Sequence, residues 1–363
     1  MPKGLNRFRF VRVLLIAAFF TSGPAWGSSL DALREILNDP RLLQEPGAVQ
    51  ARAEELVAAY APKYWFHADD TGPSDPIQFI ADSSLWFKEP GKPDLMIAEQ
   101  GKINPLELSR AWRNPGPARP NDSFTGAGLF LKLENIILPG NRSPAAPGAP
   151  SSRVVVNDWS RAPLLWRLGP KIRDDLFLIE YWFHSHFSQG GPLGIGDHEG
   201  DWEGVAALVH AEFTEPGIFA HRLVAMYFAA HEGGDWKCAE DLDWTQDETG
   251  RRIPEAYSAR GSHATYSKSG RHWNYALLEN APRGKAWDTV KNLRPLTLEP
   301  YFGFSGGWGK TNRWAFMSGP MPPSSFKSMP GKSLLDRWIK VVEPICATRA
   351  ESAVLREAPA QSP

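Results

Sequence analysis

The chain has 363 residues, a formal net charge of −1, and 42% hydrophobic against 22% charged residues. This balance excludes an electrostatic nucleic-acid binder, which needs a basic surface, and it excludes an intrinsically disordered chain. The 32 glycines, 32 prolines and 15 tryptophans point to many turns around aromatic strands rather than to a helical bundle.

Residues 1–27 read as a secretory signal. A basic stretch from Lys3 to Arg12 precedes the apolar run Val13 to Phe20, and a small-residue exit follows at Ala25-Trp26-Gly27. The alternative is an uncleaved anchor, although the run is too short to span a bilayer as a helix. No twin-arginine pair and no cysteine near the exit occur, so general secretion without a lipid anchor is expected, and no later apolar stretch reaches transmembrane length. The expected location is periplasmic or extracellular. There Cys238 and Cys346 either pair or stay as two buried thiols.

Residues 28–59 read as a helical N-terminal extension. Leu30, Leu33, Ile36 and Leu37 share one helical face behind a Ser28-Ser29 cap. A second helix follows Pro46-Gly47, with Val49, Ala53, Leu56, Val57 and Tyr60 on its apolar side, and Pro62 stops it. Residues 60–345 change to short runs broken by Gly, Pro, Asp and Asn. Tyr64 to His67, Leu129 to Leu133, Leu176 to Phe187, Trp202 to Val209 and Leu223 to Phe228 read as strands. The expected fold is mainly β, a twisted antiparallel β-sandwich carrying the short helical extension. Gly140 to Arg153 reads as an exposed loop. Residues 346–363 form a C-terminal tail, polar and disordered at its end.

The densest polar cluster runs from His184-Ser185-His186, through a glycine-rich loop, to His198-Glu199-Gly200-Asp201-Trp202-Glu203. Period-two geometry puts Trp182, His184 and His186 on one side of the first strand. It likewise puts Asp201, Glu203 and Val205 on one side of the second. If the strands pair in phase, His184, His186, Asp201 and Glu203 converge, and His198 folds over the same point. Imidazole and carboxylate together suit a divalent cation, Mg, Ca, Mn or Zn. The competing reading is a turn whose acids and histidines satisfy backbone donors. The turn Ala259-Arg260-Gly261-Ser262-His263 offers a second candidate. Ser262 is an awkward nucleophile for the adjacent His263, so His263 is better placed as a ligand or acid–base group. His67 and Asp69 end a strand and could reach the site. The pair His198-Glu199-Gly200-Asp201-Trp202 and His231-Glu232-Gly233-Gly234-Asp235-Trp236 forms a short internal echo.

In their order, these motifs resemble the vacuolar protein sorting-associated protein 62 family. The resemblance rests on Tyr60-Ala61-Pro62 with His67 to Asp70, His198 to Glu203, His231 to Trp236, Ala259 to Tyr266, Trp308-Gly309, and Gly319 to Pro323. It implies a shared domain without an assigned activity. His198-x-x-Asp201-x-Glu203 is also similar to the central motif of the necrosis- and ethylene-inducing peptide-like cytolysins. Those are secreted β-sandwich proteins, and that likeness implies a divalent cation used in membrane glycolipid recognition. The chain departs from them by offering His184 and His186 where they supply an acid.

Three readings follow. The first is a secreted, cation-binding β-sandwich that recognises a glycan or lipid head group at a cell surface, using the aromatic faces of its tryptophans. The second is a metal-dependent hydrolase with His263 or Glu199 as proton carrier. The third is a structural envelope protein without catalysis.

Overall fold

The computed structural model describes residues 46–346, save 90, 112–127, 135, 138–152, 155–158, 160, 171, 174, 190–195, 216–217, 232, 275–276, 311–317, 326–327 and 342. The expected signal, the first expected helix, the loop up to residue 152 and the end of the tail lie outside the described residues. The first half of the chain holds α1 (Pro46–Tyr60), β1 (Lys63–Phe66), α2 (Pro76–Ala81), β2 (Ser83–Lys88), β3 (Leu95–Ala98), α3 (Pro105–Ala111), β4 (Gly128–Leu133), β5 (Ile136–Ile137), β6 (Arg153–Val154) and β7 (Leu164–Leu168). Next come β8 (Leu176–Ser188), β9 (His198–Glu215), β10 (Ile218–Ala230), β11 (Gly233–Cys238), β12 (Trp244–Gln246), β13 (Arg252–Ser258), β14 (Thr265–Tyr266), β15 (Gly270–Asn274), β16 (Leu277–Ala281), β17 (Lys285–Trp287), β18 (Leu293–Pro295), β19 (Gly307–Trp308) and α4 (Lys332–Val341).

The fold is mainly β. A six-stranded sheet, in the order β11-β10-β9-β8-β7-β18, forms its middle. The strand Leu176–Ser188 is buried along nearly its whole length because both of its faces are covered, and its first eight residues are apolar save Glu180. Leu176, Leu178 and Trp182 pack with Phe79, Phe130, Leu131 and Trp308, which belong to the side of the sheet β19-β4-β2-β3. Phe177, Ile179, Tyr181 and Phe183 pack with Tyr64, Phe66, Ala256 and Trp287, on the side of the sheet β12-β13-β1-β17. Alternate residues of one strand therefore feed two separate cores. A purely antiparallel arrangement is not what forms: β1–β13, β7–β18, β4–β19 and β5–β6 pair in parallel. The long central hairpins are antiparallel; the parallel partners are short strands that return from distant parts of the chain.

Helix α1 matches expectation. Ala53, Leu56, Val57 and Tyr60 are buried in the second core, and Pro62 follows its end. Helix α4 was not read from the sequence. It lies near the bridge Cys238–Cys346, with Cα atoms 5.2 Å apart, which settles the two-way reading of the cysteines as a disulfide and ties β11 to the C-terminal segment. The Trp308-Gly309 and Gly319-Pro320 pieces meet backbone to backbone: the Trp308 N–H donates to the Pro320 carbonyl at 2.9 Å. Packing accounts for that motif.

Candidate functional site

The register between β8 and β9 decides the site. His184 lies opposite Trp202, Ser185 opposite Asp201, and Phe183 opposite Glu203. Directly paired residues share a face, so His184 and His186 point to one side of the sheet while Asp201 and Glu203 point to the other. The expected convergence of His184, His186, His198, Asp201 and Glu203 does not form. One residue of register is enough to separate them, because the side-chain period is two.

The two histidines on the first face sit in an aromatic nest. His184 is 4.7 Å from Phe79, 4.9 Å from Trp202 and 5.3 Å from Trp308, centroid to centroid. Its Nδ1 is bonded to Ser74 Oγ at 2.9 Å. Burial, with His186 and His263 as nearby like charges, holds His184 well below the ordinary histidine value, so it is neutral. His186 packs edge-on to Phe79 and has Asp82 Oδ2 at 3.6 Å, too far for a hydrogen bond. Both rings are buried, with His184 Nε2 and both His186 nitrogens lacking a hydrogen-bond partner.

His198 and Glu199 are committed to backbone. The His198 ring meets the Gly200 carbonyl at 2.7 Å. Glu199 accepts the N–H groups of Leu133 at 3.0 Å and Lys310 at 2.9 Å, joining β9 to β4 and to the stretch after β19. Burial raises its carboxyl above the usual range even so. Gly200 is left-handed, with φ +66, and a Cβ there would strike the Trp308 carbonyl oxygen. Glu199, expected as an alternative to His263 as proton carrier, is thus bonded to two backbone donors.

On the second face, residues from five places in the sequence come together. Asp201 and Glu203 stand at the start of β9. Asp70 follows β1, His231 follows β10, the turn Arg260 to Ala264 precedes β14, and Glu279 lies on β16. His263 is fully buried between two acids: its Nδ1 is 2.9 Å from Asp201 Oδ2 and its Nε2 is 3.0 Å from Asp70 Oδ1. Burial alone would lower its pKa. The two carboxylates, Asp70 foremost, outweigh burial and lift it to about 10. In return, His263 and the N–H groups of Gly261 and Gly72 bring Asp70 down to about 2 against its own burial. His263 is thus an imidazolium with both protons engaged. It neither accepts a proton nor presents a lone pair to a metal.

The local sequence builds this turn. Gly261 is left-handed, with φ +81, and a Cβ there would press on Gln189. The Gln189 N–H donates to the Gly261 carbonyl at 2.8 Å. Ala259 and Ala264 are small enough to be fully buried on either side of the turn. Thr265 Oγ1 then donates to the carbonyls of Gly204 and Ala229, clamping the segment onto β9 and β10.

A second knot adjoins the first. The Glu279 carboxylate is bonded by His231 Nε2 at 2.9 Å and by the hydroxyls of Ser262 and Tyr266. Its pKa falls to about 2: burial opposes this, and the His231 hydrogen bond and charge lead the lowering. Glu203 lies between the knots. It accepts the His231 backbone N–H, its Oε2 has no partner, and burial together with Asp201 and Glu279 holds it well above the usual carboxylate range. It is a neutral acid. Among the described residues only His231 and His263 combine a side chain with positive φ, at 53° and 58°, and both belong to this network. Such backbone costs roughly 1–3 kcal/mol per residue and persists where the surroundings demand it.

A small cleft, with room for about one water molecule, opens over Asp70 and Gly261, lined also by Asp69, Thr71, Phe187, Gln189 and Arg260. The acid that reaches the network is Asp70. Asp69 is exposed, 3.8 Å from His67 Nδ1. Glu279 had no sequence motif around it; its one signal is that it is the only acid between Glu255 and Asp288. The echo around His231 is a hairpin turn that delivers a ligand to Glu279. Among the described residues no group of three or more His, Cys, Asp or Glu is arranged to hold a metal ion. The cation between Asp70 and Asp201 is the chain's own imidazolium.

Solved structures with a similar course include one described as non-toxic HaNLP3 protein, with TM-score 0.27 and 11% identity over 59% of this chain and 84% of that one. Another is NLPPya in complex with glucosamine, with TM-score 0.26 and 14% identity over 66% and 90%. The Vacuolar protein sorting-associated protein 62 of Saccharomyces cerevisiae (strain ATCC 204508 / S288c) is 24% identical over 208 residues, 44% of this chain. The chain spans 42% of that relative's length. Residues 191–277 match the family described as Vacuolar protein sorting-associated protein 62, and so the likeness first drawn from motif order holds for the stretch that carries Asp201, Glu203, His231, Ser262 and His263.

Proposed function

We propose that this chain is an exported binding protein that recognises a neutral or amine-bearing sugar ring of a glycan or glycolipid head group. The observation that carries the reading is the cleft over the Asp70–His263–Asp201 triad. It mixes an aromatic ring, Phe187, with groups of both hydrogen-bonding senses: Arg260 and Gln189 donate, while Asp69 and Thr71 accept. A pyranose has that mixed character, with an apolar C–H face and a rim of hydroxyls. The cleft itself is small, with room for about one water molecule, so it would take one edge or substituent of the ring and leave the rest at the surface. The triad beneath is a rigid floor, because a paired and hydrogen-bonded buried ion set holds its geometry. Export is supported by the signal-like first 27 residues and agrees with the Cys238–Cys346 bridge.

The experiment is a glycan array followed by calorimetric titration of the best neutral or amino sugar into wild type and Arg260→Ala. Arg260 is exposed, so the variant keeps its melting temperature. Its affinity is expected to fall about tenfold, the worth of one charge-assisted hydrogen bond. An array without sugar binding, or an unchanged affinity in Arg260→Ala, removes the reading.

A further inference from the structure

β15 and β16 form a two-stranded hairpin that stands as a sheet of its own. Its register sorts the side chains by face: His272 lies opposite Glu279, Trp273 opposite Leu278, and Arg271 opposite Asn280. The His272–Glu279 face turns inward. His272 stacks flat on Tyr266 with centroids 3.9 Å apart, and Glu279 is the buried acid of the second knot. The other face is exposed throughout: Arg271, Trp273, Leu278 and Asn280 all meet solvent. Trp273 is 76% exposed and Leu278 48%, an aromatic and an aliphatic side chain paired across the strands with nothing over them.

A soluble protein gains nothing from holding a tryptophan in water, since burying such a side chain is favourable by a few kcal/mol. The pair sits in a basic stretch. Residues 267–285 carry Lys268, Arg271, Arg283 and Lys285 against the single acid Glu279, in a chain whose net charge is −1. Glu279 faces inward. Lys268 and Arg283 are ion-paired to Asp243 and Glu255 yet keep 52% and 54% exposure, and Arg271 shares the outer face with Trp273. An apolar pair that shares its face with Arg271, in a stretch of four basic residues against one inward-facing acid, fits the boundary of an anionic bilayer. There tryptophan rings settle at head-group level, and each nearby basic side chain adds attraction to the surface charge.

We infer that the outer face of the β15–β16 hairpin is a lipid-interface anchor, with Trp273 and Leu278 entering the head-group region of an anionic membrane and Arg271 pairing with its phosphates. The inner face fixes the hairpin to the body, so the anchor is presented on a rigid element. The inference does not rest on the sugar cleft, which faces other residues.

The test is flotation of the mature protein with phosphatidylcholine vesicles, with and without phosphatidylglycerol. Wild type is expected to float with the anionic vesicles and to lose binding as salt rises. Trp273→Ala should weaken partitioning roughly tenfold and Arg271→Gln about fivefold. Both should retain the wild-type melting temperature and sugar affinity, which separates this outcome from any failure of the cleft. Absence of wild type from the anionic vesicles overturns the inference, as does equal flotation of Trp273→Ala. A concentration-dependent dimer that Trp273→Ala abolishes, without vesicle binding, overturns it in favour of a second copy of the chain.

Discussion

The two faces of the central sheet bury histidines in opposite ways. On one face His184 lies among Phe79, Trp202 and Trp308 and is neutral. On the other His263 is equally buried, yet two carboxylates make it an imidazolium. Burial by itself favours the uncharged ring; burial between paired acids reverses the sign, because the Coulomb attraction grows in the same low dielectric that penalises the bare charge. The first histidine is a piece of core. The second is an ion that holds Asp70 and Asp201, distant in the sequence, at one point.

The largest effect expected is on the charged face. Asp201→Asn leaves a buried cation with half its compensation and should cost roughly 3–5 kcal/mol, read by denaturant titration. His184→Phe, on the other face, keeps the volume and loses one hydrogen bond to Ser74. Its cost should stay near 1 kcal/mol. Equal costs for the two substitutions would erase the distinction between the faces.

The pH profile sharpens the comparison, because the two faces carry opposite signs. His263 binds its proton more tightly folded than unfolded. Its contribution is complete below the ordinary value of about 6.5 and is lost as pH climbs through about 10. His184 binds its proton less tightly when folded, so its contribution is complete above about 6.5 and drains away as pH falls below that. Asp70 and Glu279, both lowered to about 2, contribute above about 4 and fail as pH falls through their folded values. Melting temperature against pH should therefore drop on the alkaline side in wild type and in His184→Phe alike, while His184→Phe should soften the fall between pH of about 6.5 and 4. An alkaline limb unchanged in a folded His263→Gln variant would contradict the assignment.

The smallest effect is expected at Glu203. The folded chain keeps this carboxyl protonated while the unfolded chain ionises it, so raising pH through the ordinary glutamate range works against the fold. Glu203→Gln keeps the neutral shape without that burden and should add about 1 kcal/mol at neutral pH, seen as a higher melting temperature. A loss of stability would mean that Glu203 is ionised and partnered.

Much of this was readable from the residues, and the limit has a physical cause. The strands announced themselves, since Leu176 to Phe183 is apolar at every position but Glu180. The motif segments holding Asp70, Asp201, His231 and His263 were marked in the sequence; Asp70, Asp201 and His263 meet, and His231 joins the adjoining knot through Glu279. What the sequence could not carry was the phase between β8 and β9. Periodicity puts His184 with His186, and Asp201 with Glu203, but their relation depends on which residue of one strand faces which of the next. The glycine-rich connection leaves that open, and a shift of one residue exchanges the faces. Glu279 was invisible for a different reason: its role comes from a hairpin docking on a distant turn, and no local pattern encodes that contact.

The central claim is that His263 is a doubly bonded imidazolium at neutral and mildly alkaline pH. Histidine-selective nitrogen-15 NMR at pH of about 8 tests it directly, well above the ordinary histidine value of about 6.5 and below about 10. The account requires one ring with both nitrogens protonated, a signal that vanishes in a folded His263→Gln variant. If every histidine at that pH shows a bare ring nitrogen, His263 is neutral and the carboxylate clamp does not exist.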